Sequence, residues 1–125
     1  MSKFHLEIAV EHPVLFLSDP TAEETIPSDV AGAAVTATDD CICFLVQSYF
    51  DGDAQVTISD QACEKGVACF SGTISTPGKT VALSDSSRFV YLNVPVTDIE
   101  TQVDVWVSDA AQPEWTWVKL PIAGY

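Results

Sequence analysis

Basic residues are scarce in this chain. Only five Lys and Arg stand against 18 Asp and Glu, so the 125 residues carry a formal charge of −13. Five scattered cations do not make the positive footprint that nucleic-acid binding needs, and the sequence has no glycine-rich loop that would cradle a phosphate. We therefore expect no direct binding to DNA or RNA.

Long apolar runs are also missing. Residues 1–7 contain no cationic region followed by an apolar stretch, and no later stretch is long enough to span a bilayer. These features predict a cytoplasmic protein with no membrane partner. In that compartment Cys41, Cys43, Cys63 and Cys69 are expected to be free thiols.

Patterns for catalysis or metal binding are weak. His5 and His12 are the two histidines, and neither accompanies a recognisable nucleophile motif, so we predict no enzyme activity and no catalytic residue. The cysteine spacings, one and five intervening residues, differ from the pairs of structural zinc sites. The sequence Asp51-Gly52-Asp53 lacks the later ligands of a calcium loop. We expect no metal site and no cofactor.

The apolar residues that are present, 47% of the chain, separate it from acidic disordered tails. Phe4, Leu6 and Ile8 alternate with polar residues, a period of two that is typical of a strand with one buried face. Similar short runs follow along the chain with no convincing helix between them. The sequence predicts a single all-β domain over residues 1–125, an antiparallel β-sandwich of eight or nine strands with little helix.

Three local predictions follow. The run from Cys41 to Phe50 is typical of a central strand, and Asp51-Gly52 favours a tight hairpin turn into a strand that begins near Ala54. Residues 21–31 are polar and predict a long surface connection. The predicted core consists of Phe4, Leu6, Ile8, Phe44, Val46, Val56, Ile58, Val90, Leu92, Val103 and Val105.

The last two predicted strands place three tryptophans on one face. A symmetrical hairpin would set Trp106 opposite Trp115 and Asp104 opposite Trp117, with five apolar residues, mostly valines, on the other face. Two interpretations remain open: the tryptophans are buried, in the core or under the long connection, or they anchor a partner interface. The candidate partner-binding residues are Asp98, Glu100, Asp104, Trp106, Asp109, Glu114, Trp115 and Trp117.

In its order of elements the chain resembles the small acidic inhibitors of DNA-entry nucleases from competent bacteria. The likeness rests on a Phe-rich β segment (Phe4 to Leu17), a polar connection, a central apolar strand, and the segment Arg88 to Pro95 followed by Gln102 to Trp106. It spans much of the chain and assigns no single inhibitory residue. The resemblance implies a bacterial protein that blocks a nuclease by occupying its basic groove.

The acidity favours the same function independently. Carboxylates that imitate the phosphates of nucleic acid would steer the chain onto a cationic enzyme. The leading prediction is an acidic inhibitor or immunity-type protein with a basic partner such as a nuclease. Two alternatives remain: a carbohydrate-binding module in which the tryptophans stack on sugar rings, and a structural domain that forms a homodimer through an exposed edge strand.

Overall fold

The computed structural model describes residues 3–10, 14–21, 35–46, 52–85, 87, 89–109 and 114–123. Within these ranges the chain forms ten strands and no helix, and so no helix there could cross a membrane. In chain order the strands are β1 (Lys3–Ile8), β2 (Val14–Ser18), β3 (Val35–Ala37), β4 (Cys41–Leu45), β5 (Ala54–Ser59), β6 (Val67–Ser75), β7 (Thr80–Asp85), β8 (Val90–Pro95), β9 (Glu100–Val107) and β10 (Trp115–Lys119). The predicted all-β class is confirmed.

The strands form two five-stranded sheets. Sheet A has the order β1-β5-β10-β9-β6, and sheet B has the order β3-β4-β2-β7-β8. Every pairing is antiparallel except that of β5 with β10, which is parallel. The predicted β-sandwich therefore has ten strands in the described residues instead of eight or nine, and one of its pairs is parallel.

One hydrophobic core joins the two sheets. Alternate side chains of a strand point to the same face, so the apolar residues of sheet B, such as Leu17 and Phe44, meet those of sheet A, such as Val56 and Val105. Val90 was predicted to be in this core and is instead 41% exposed. Its strand lies at the edge of sheet B, where the ladder shifts register beside it. The other buried residues that the core prediction missed include Leu15, Leu17, Ile42, Ile74, Val81, Leu83, Val94, Val118 and Leu120.

The hairpin predicted at Asp51-Gly52 is wrong. β4 lies in sheet B between β3 and β2, whereas β5 lies in sheet A between β1 and β10. The two strands that flank the turn signal therefore do not pair, although Gly52 has a φ of 125°. Long-range pairing on both edges of β5 outweighs the local preference of an Asp-Gly sequence for a hairpin. Asp51 and residues 22–31 of the predicted connection lie outside the described residues.

A buried carboxylate fixes one end of sheet B. Asp19 follows β2 and is 1% exposed. Its Oδ1 accepts hydrogen bonds from the backbone N–H and the hydroxyl of Thr21, at 2.8 and 2.7 Å, and its Oδ2 accepts one from the N–H of Gly78 at 2.6 Å. These bonds hold the turn between β6 and β7 against the end of β2. Because both oxygens are satisfied within the fold, we assign Asp19 a structural role.

Candidate partner-binding face and groove

β9 and β10 pair as predicted, but their register differs by two residues from the symmetrical one. Trp106 lies opposite Trp117. Ser108 sets this register, because its N–H donates to the Trp115 carbonyl at 3.1 Å and its Oγ accepts from the N–H of Glu114 at 2.8 Å. Because side chains alternate with a period of two, a shift of two residues leaves every side chain on its predicted face. The tryptophans therefore lie on one face of the strand pair and the valines on the other. The apolar face is buried, and its members are Val103, Val105, Val107, Val118 and Leu120.

The outer face of sheet A, which is turned away from the core, carries the tryptophans. All three are partly buried there, so they belong neither to the core nor to a fully solvated surface. Cross-strand neighbours form rows over this face. One row, read from β6 to β1, is Ala68, Trp106, Trp117, Thr57 and His5. The next row is Ser71, Asp104, Lys119, Ser59 and Lys3.

Residues 60–66 form a crossover segment that passes over the outer face. They connect β5 to β6, two strands that run in the same direction and are separated by β10 and β9. The connection must therefore return along the sheet, and the core occupies the other side. The indole N–H of Trp117 donates to the carbonyl oxygen of Gln61 at 2.8 Å, and Gly66 lies against the ring of Trp115. The crossover segment thus covers part of the tryptophan cluster, a role that sequence reasoning missed.

Replacing Gly66 by alanine is expected to destabilise the protein by about 1–3 kcal/mol. Gly66 has a φ of 78°, and a Cβ there would overlap the Val107 carbonyl oxygen and the Trp115 ring. Thermal unfolding would measure the effect. Gln61→Ala is the matched control, since Gln61 is an exposed residue of the same segment and alanine keeps the carbonyl that Trp117 uses. A Gly66→Ala melting curve that coincides with the wild type would contradict this description of the crossover segment.

A groove of about 550 Å³ opens between the crossover segment and the first two strands of sheet A. Trp115 and Trp117 line it together with Lys3, His5 and Thr57. The ammonium nitrogen of Lys3 lies 5.2 Å from the centre of the Trp117 ring, within the range of a cation–π contact. Nδ1 of His5 and Oγ1 of Thr57 are hydrogen-bonded at 2.9 Å. The groove therefore combines aromatic surface, cationic groups and hydrogen-bonding groups.

The predicted carboxylates do not form one cluster. Asp98 and Glu100 are exposed at the start of β9, whereas Asp109 and Glu114 are exposed beyond its other end, beside the loop to β10. An eight-residue strand extends for ~25 Å, so the two groups are far apart. Asp104 lies between them on the outer face, and its Oδ1 accepts a hydrogen bond from Nε2 of Gln102 at 3.3 Å.

Among the eight predicted site residues, the structure thus brings together Asp104 and the three tryptophans. Asp109 and Glu114 lie beyond the end of the same hairpin pair. Asp98 and Glu100 are separated from them by the length of β9. Lys3, His5 and Lys65 line the groove beside Trp115 and were not predicted, because they are distant in sequence from the final hairpin.

The four cysteines lie in three parts of the fold. Cys41 and Cys43 are buried in β4, Cys69 packs partly against the core, and Cys63 is in the crossover segment. Burial raises the pKa of Cys43 to about 11 and outweighs a backbone hydrogen bond to raise the pKa of Cys69 as well. These two thiols therefore stay protonated at neutral pH. The described residues contain no group of three or more His, Cys, Asp or Glu side chains placed to hold a metal ion.

A carboxylate and a phenol pair at the edge of sheet B. Oδ2 of Asp85 accepts a hydrogen bond from the Tyr91 hydroxyl at 2.7 Å, and Oδ1 accepts from the N–H groups of Ser87 and Phe89. Partial burial raises the pKa of Asp85, but these hydrogen bonds outweigh it and hold the pKa below its usual value. Burial and the Asp85 carboxylate raise the pKa of Tyr91 to about 12. Asp85 is therefore charged and Tyr91 neutral at pH 7, and the pair organises a turn.

No protein-family model matches the chain, and no curated protein matches it by sequence. Its fold does match solved structures. ComJ from Bacillus subtilis, an inhibitor of the DNA-degrading activity of NucA, superimposes with a TM-score of 0.71 over 98% of both chains, at 8% sequence identity. The chain has the fold of ComJ. The structure described as crocagin biosynthetic gene J matches with a TM-score of 0.53 over 97% of this chain and 98% of its own, at 10% identity.

The match with ComJ confirms the resemblance to inhibitors of competence nucleases at the level of fold. It extends over nearly the whole of both chains, so the two proteins share the complete architecture and not one common motif. At 8% identity the match transfers no residue role, and the site is argued from this chain's own side chains.

Proposed function

We propose that this protein is an inhibitor-type binding protein that blocks a basic enzyme, a nuclease in the first instance, by covering the surface that binds nucleic acid. The observation that carries the proposal is a charge of −13 on a domain with the fold of ComJ over its full length. A fold hosts many functions, so the fold alone would not suffice. A nuclease must present positive charge to its substrate, and an acidic domain is complementary to that surface.

Trp106 is the proposed anchor of the interface. It is partly buried on the outer face, and its indole N–H has no acceptor among the described residues. Trp117, by contrast, already donates to Gln61 and lies under Lys3. Interfaces concentrate binding energy in an aromatic residue that is surrounded by a polar rim, and an indole with a spare donor suits that position.

Three carboxylates are proposed to form the rim around Trp106. Asp104 lies on the same strand two residues earlier, and Asp109 and Glu114 are exposed where the hairpin ends. The chain would act by steric and electrostatic exclusion, without catalysis and without a cofactor, in the cytoplasm. Asp98 and Glu100, at the far end of β9, would contribute to long-range attraction.

Neutralising the rim is expected to weaken binding to the basic target by about tenfold, mainly through a slower association rate. The test variant is Asp109→Asn with Glu114→Gln, and the matched control is Asp39→Asn with Glu100→Gln, which changes the net charge equally at exposed positions about the length of β9 away from the rim. Association would be measured by stopped-flow at low and high ionic strength, because exposed charges are screened by salt.

The two double variants distinguish a specific rim from overall acidity. The proposal expects the first variant to associate more slowly than the second at low salt and expects the difference to shrink at high salt. Equal rates for both variants would show that Asp109 and Glu114 are not part of the interface. The target itself would be captured on the immobilised protein at low salt, released by a salt step and identified by mass spectrometry.

A further inference from the structure

The groove beside the crossover segment has the opposite charge from the rest of the molecule. The described residues that line it include Lys3 and Lys65, with the ring of His5, against one carboxylate, that of Glu64. Two of the five basic residues of a chain with a charge of −13 therefore converge on one groove. Glu7 lies opposite Gln55, in the row that continues to Trp115, and is itself not among the described lining residues. The described lining therefore has more cationic than anionic side chains, and it attracts an anion more than the acidic surface of the chain as a whole does.

The size and walls of the groove suit a small aromatic molecule. Its volume of about 550 Å³ lies within the range of roughly 300–1,000 Å³ that is typical of small-ligand sites. Trp115 and Trp117 supply apolar surface, and the Gln55 amide and Thr57 hydroxyl supply hydrogen-bonding groups. Because the Lys3 ammonium lies 5.2 Å from the centre of the Trp117 ring, a cation and an aromatic surface stand side by side. A ligand that carries an anionic group on a flat apolar body matches both features.

The charge of the whole chain restricts which anions can enter. A polyphosphate or a nucleic acid would extend beyond a groove of about 550 Å³, and its outer charges would be repelled by the carboxylates of the surrounding surface, whereas a monoanion fits beside the lysines. Sugar rings are also a poor match, since Glu64 is the one carboxylate among the described lining residues and directly precedes Lys65 in the chain. We propose that this groove is a binding site for a small aromatic carboxylate with a single negative charge.

This site lies next to the proposed enzyme-binding surface, because Trp106 pairs with Trp117, but its key residues are different ones. Trp106 is not among the residues that line the groove, whereas Trp115 and Trp117 are. The chain contains three tryptophans in all, so the three indole N–H signals in a ¹H–¹⁵N spectrum provide two reporters and one internal control. A result on small-molecule binding would neither require nor exclude inhibition of a nuclease.

The experiment is a titration of the ¹⁵N-labelled protein with phenylacetate, followed by NMR. The proposal expects saturable shifts of the Trp115 and Trp117 indole signals with a Kd of about 1 mM or tighter, and a much smaller shift of the Trp106 signal. Neutral phenylacetamide, which has the same size and ring, is expected to bind about tenfold more weakly because it cannot pair with the lysines. Lys3→Gln and Lys65→Gln should each weaken phenylacetate binding several-fold, and Lys79→Gln, which alters a lysine outside the groove, should not.

Two results would overturn the proposal. One is the absence of any saturable shift up to about 10 mM phenylacetate with the unaltered protein. The other is equal affinity for phenylacetate and phenylacetamide, which would show that the lysines do not select an anion. Because both comparisons use the unaltered chain, neither depends on whether a variant folds.

Discussion

Alanine at position 106 is expected to weaken binding of the basic target by about thirty-fold. An aromatic residue at the centre of an interface typically contributes about 2 kcal/mol or more, and each 1.4 kcal/mol is a factor of ten in the dissociation constant. Trp106 meets the conditions for that role, since it lies on the outer face between Asp104 and the end of the hairpin and keeps a spare indole donor among the described residues. Inhibition constants measured with the purified target enzyme would provide the comparison.

Trp117→Ala is the comparison variant, because it shows what the loss of a structural tryptophan on the same face does. Trp117 holds the crossover segment through Gln61, so its loss is expected to lower the melting temperature more than the loss of Trp106 does. Affinities would be measured well below both melting temperatures, where both variants are folded. If Trp106→Ala inhibits as well as the wild type, Trp106 is not the anchor. If instead its melting temperature falls as far as that of Trp117→Ala, its role is structural.

Replacing Phe44 by alanine is expected to destabilise the fold by about 3–5 kcal/mol. Phe44 is fully buried in β4 and lies within the core cluster that joins the two sheets. Alanine would remove the ring and leave a cavity that the neighbouring strands fill only in part. A domain of this size has a total stability of about 5–15 kcal/mol, so the variant loses a large fraction of it. Urea unfolding followed by tryptophan fluorescence would measure the change.

The chain contains a matched control for this substitution. Phe89 precedes β8, is 61% exposed and contacts Tyr91 edge to face, with the ring centres 4.9 Å apart. Phe89→Ala is expected to cost about 1 kcal/mol or less, since little apolar surface returns to water. Equal losses of stability in the two variants would mean that the core does not lie between the two sheets as described.

Strand periodicity explains why the fold class could be predicted from the sequence. Side chains alternate with a period of two, so the faces of β1 and of the final pair could be identified without knowing their partners. The register of β9 and β10 was predicted two residues away from the observed one, yet Trp106 and Val105 still lie on the predicted faces. An even shift leaves face assignments unchanged, whereas a shift of one would have inverted them.

Pairing between distant strands explains what the sequence did not predict. The Asp-Gly sequence after residue 50 has a local preference for a hairpin turn, which would pair β5 with β4. In the structure β5 pairs with β1 and β10 instead. The parallel β5–β10 pair in turn places residues 60–66 across the outer face, and no local pattern marks that crossover apart from Gly66. The groove depends on it, because Lys3 and Lys65 converge only through the sheet order.

The positions of the carboxylates in the fold could not be predicted from their spacing in the sequence either. Spacing along the chain suggested one acidic cluster around the tryptophans, but an extended strand separates its ends by the length of the sheet. Asp98 and Asp109 are therefore at opposite ends of β9, and Asp104 alone of the predicted acids lies beside Trp106 and Trp117 on the outer face. An acidic composition indicates the sign of a partner's charge, whereas the position of the interface depends on the register of the strands.

The proposed function is the inhibition of a basic nuclease. The most direct test adds the purified protein to the basic protein fraction of the source organism, separated by cation exchange, and measures DNA cleavage in each fraction. We expect one fraction to lose its cleavage activity at a stoichiometric concentration of the protein and to regain it as the salt concentration rises, because the attraction is electrostatic. Unchanged cleavage in every fraction at low salt, with the protein in excess, would contradict the claim.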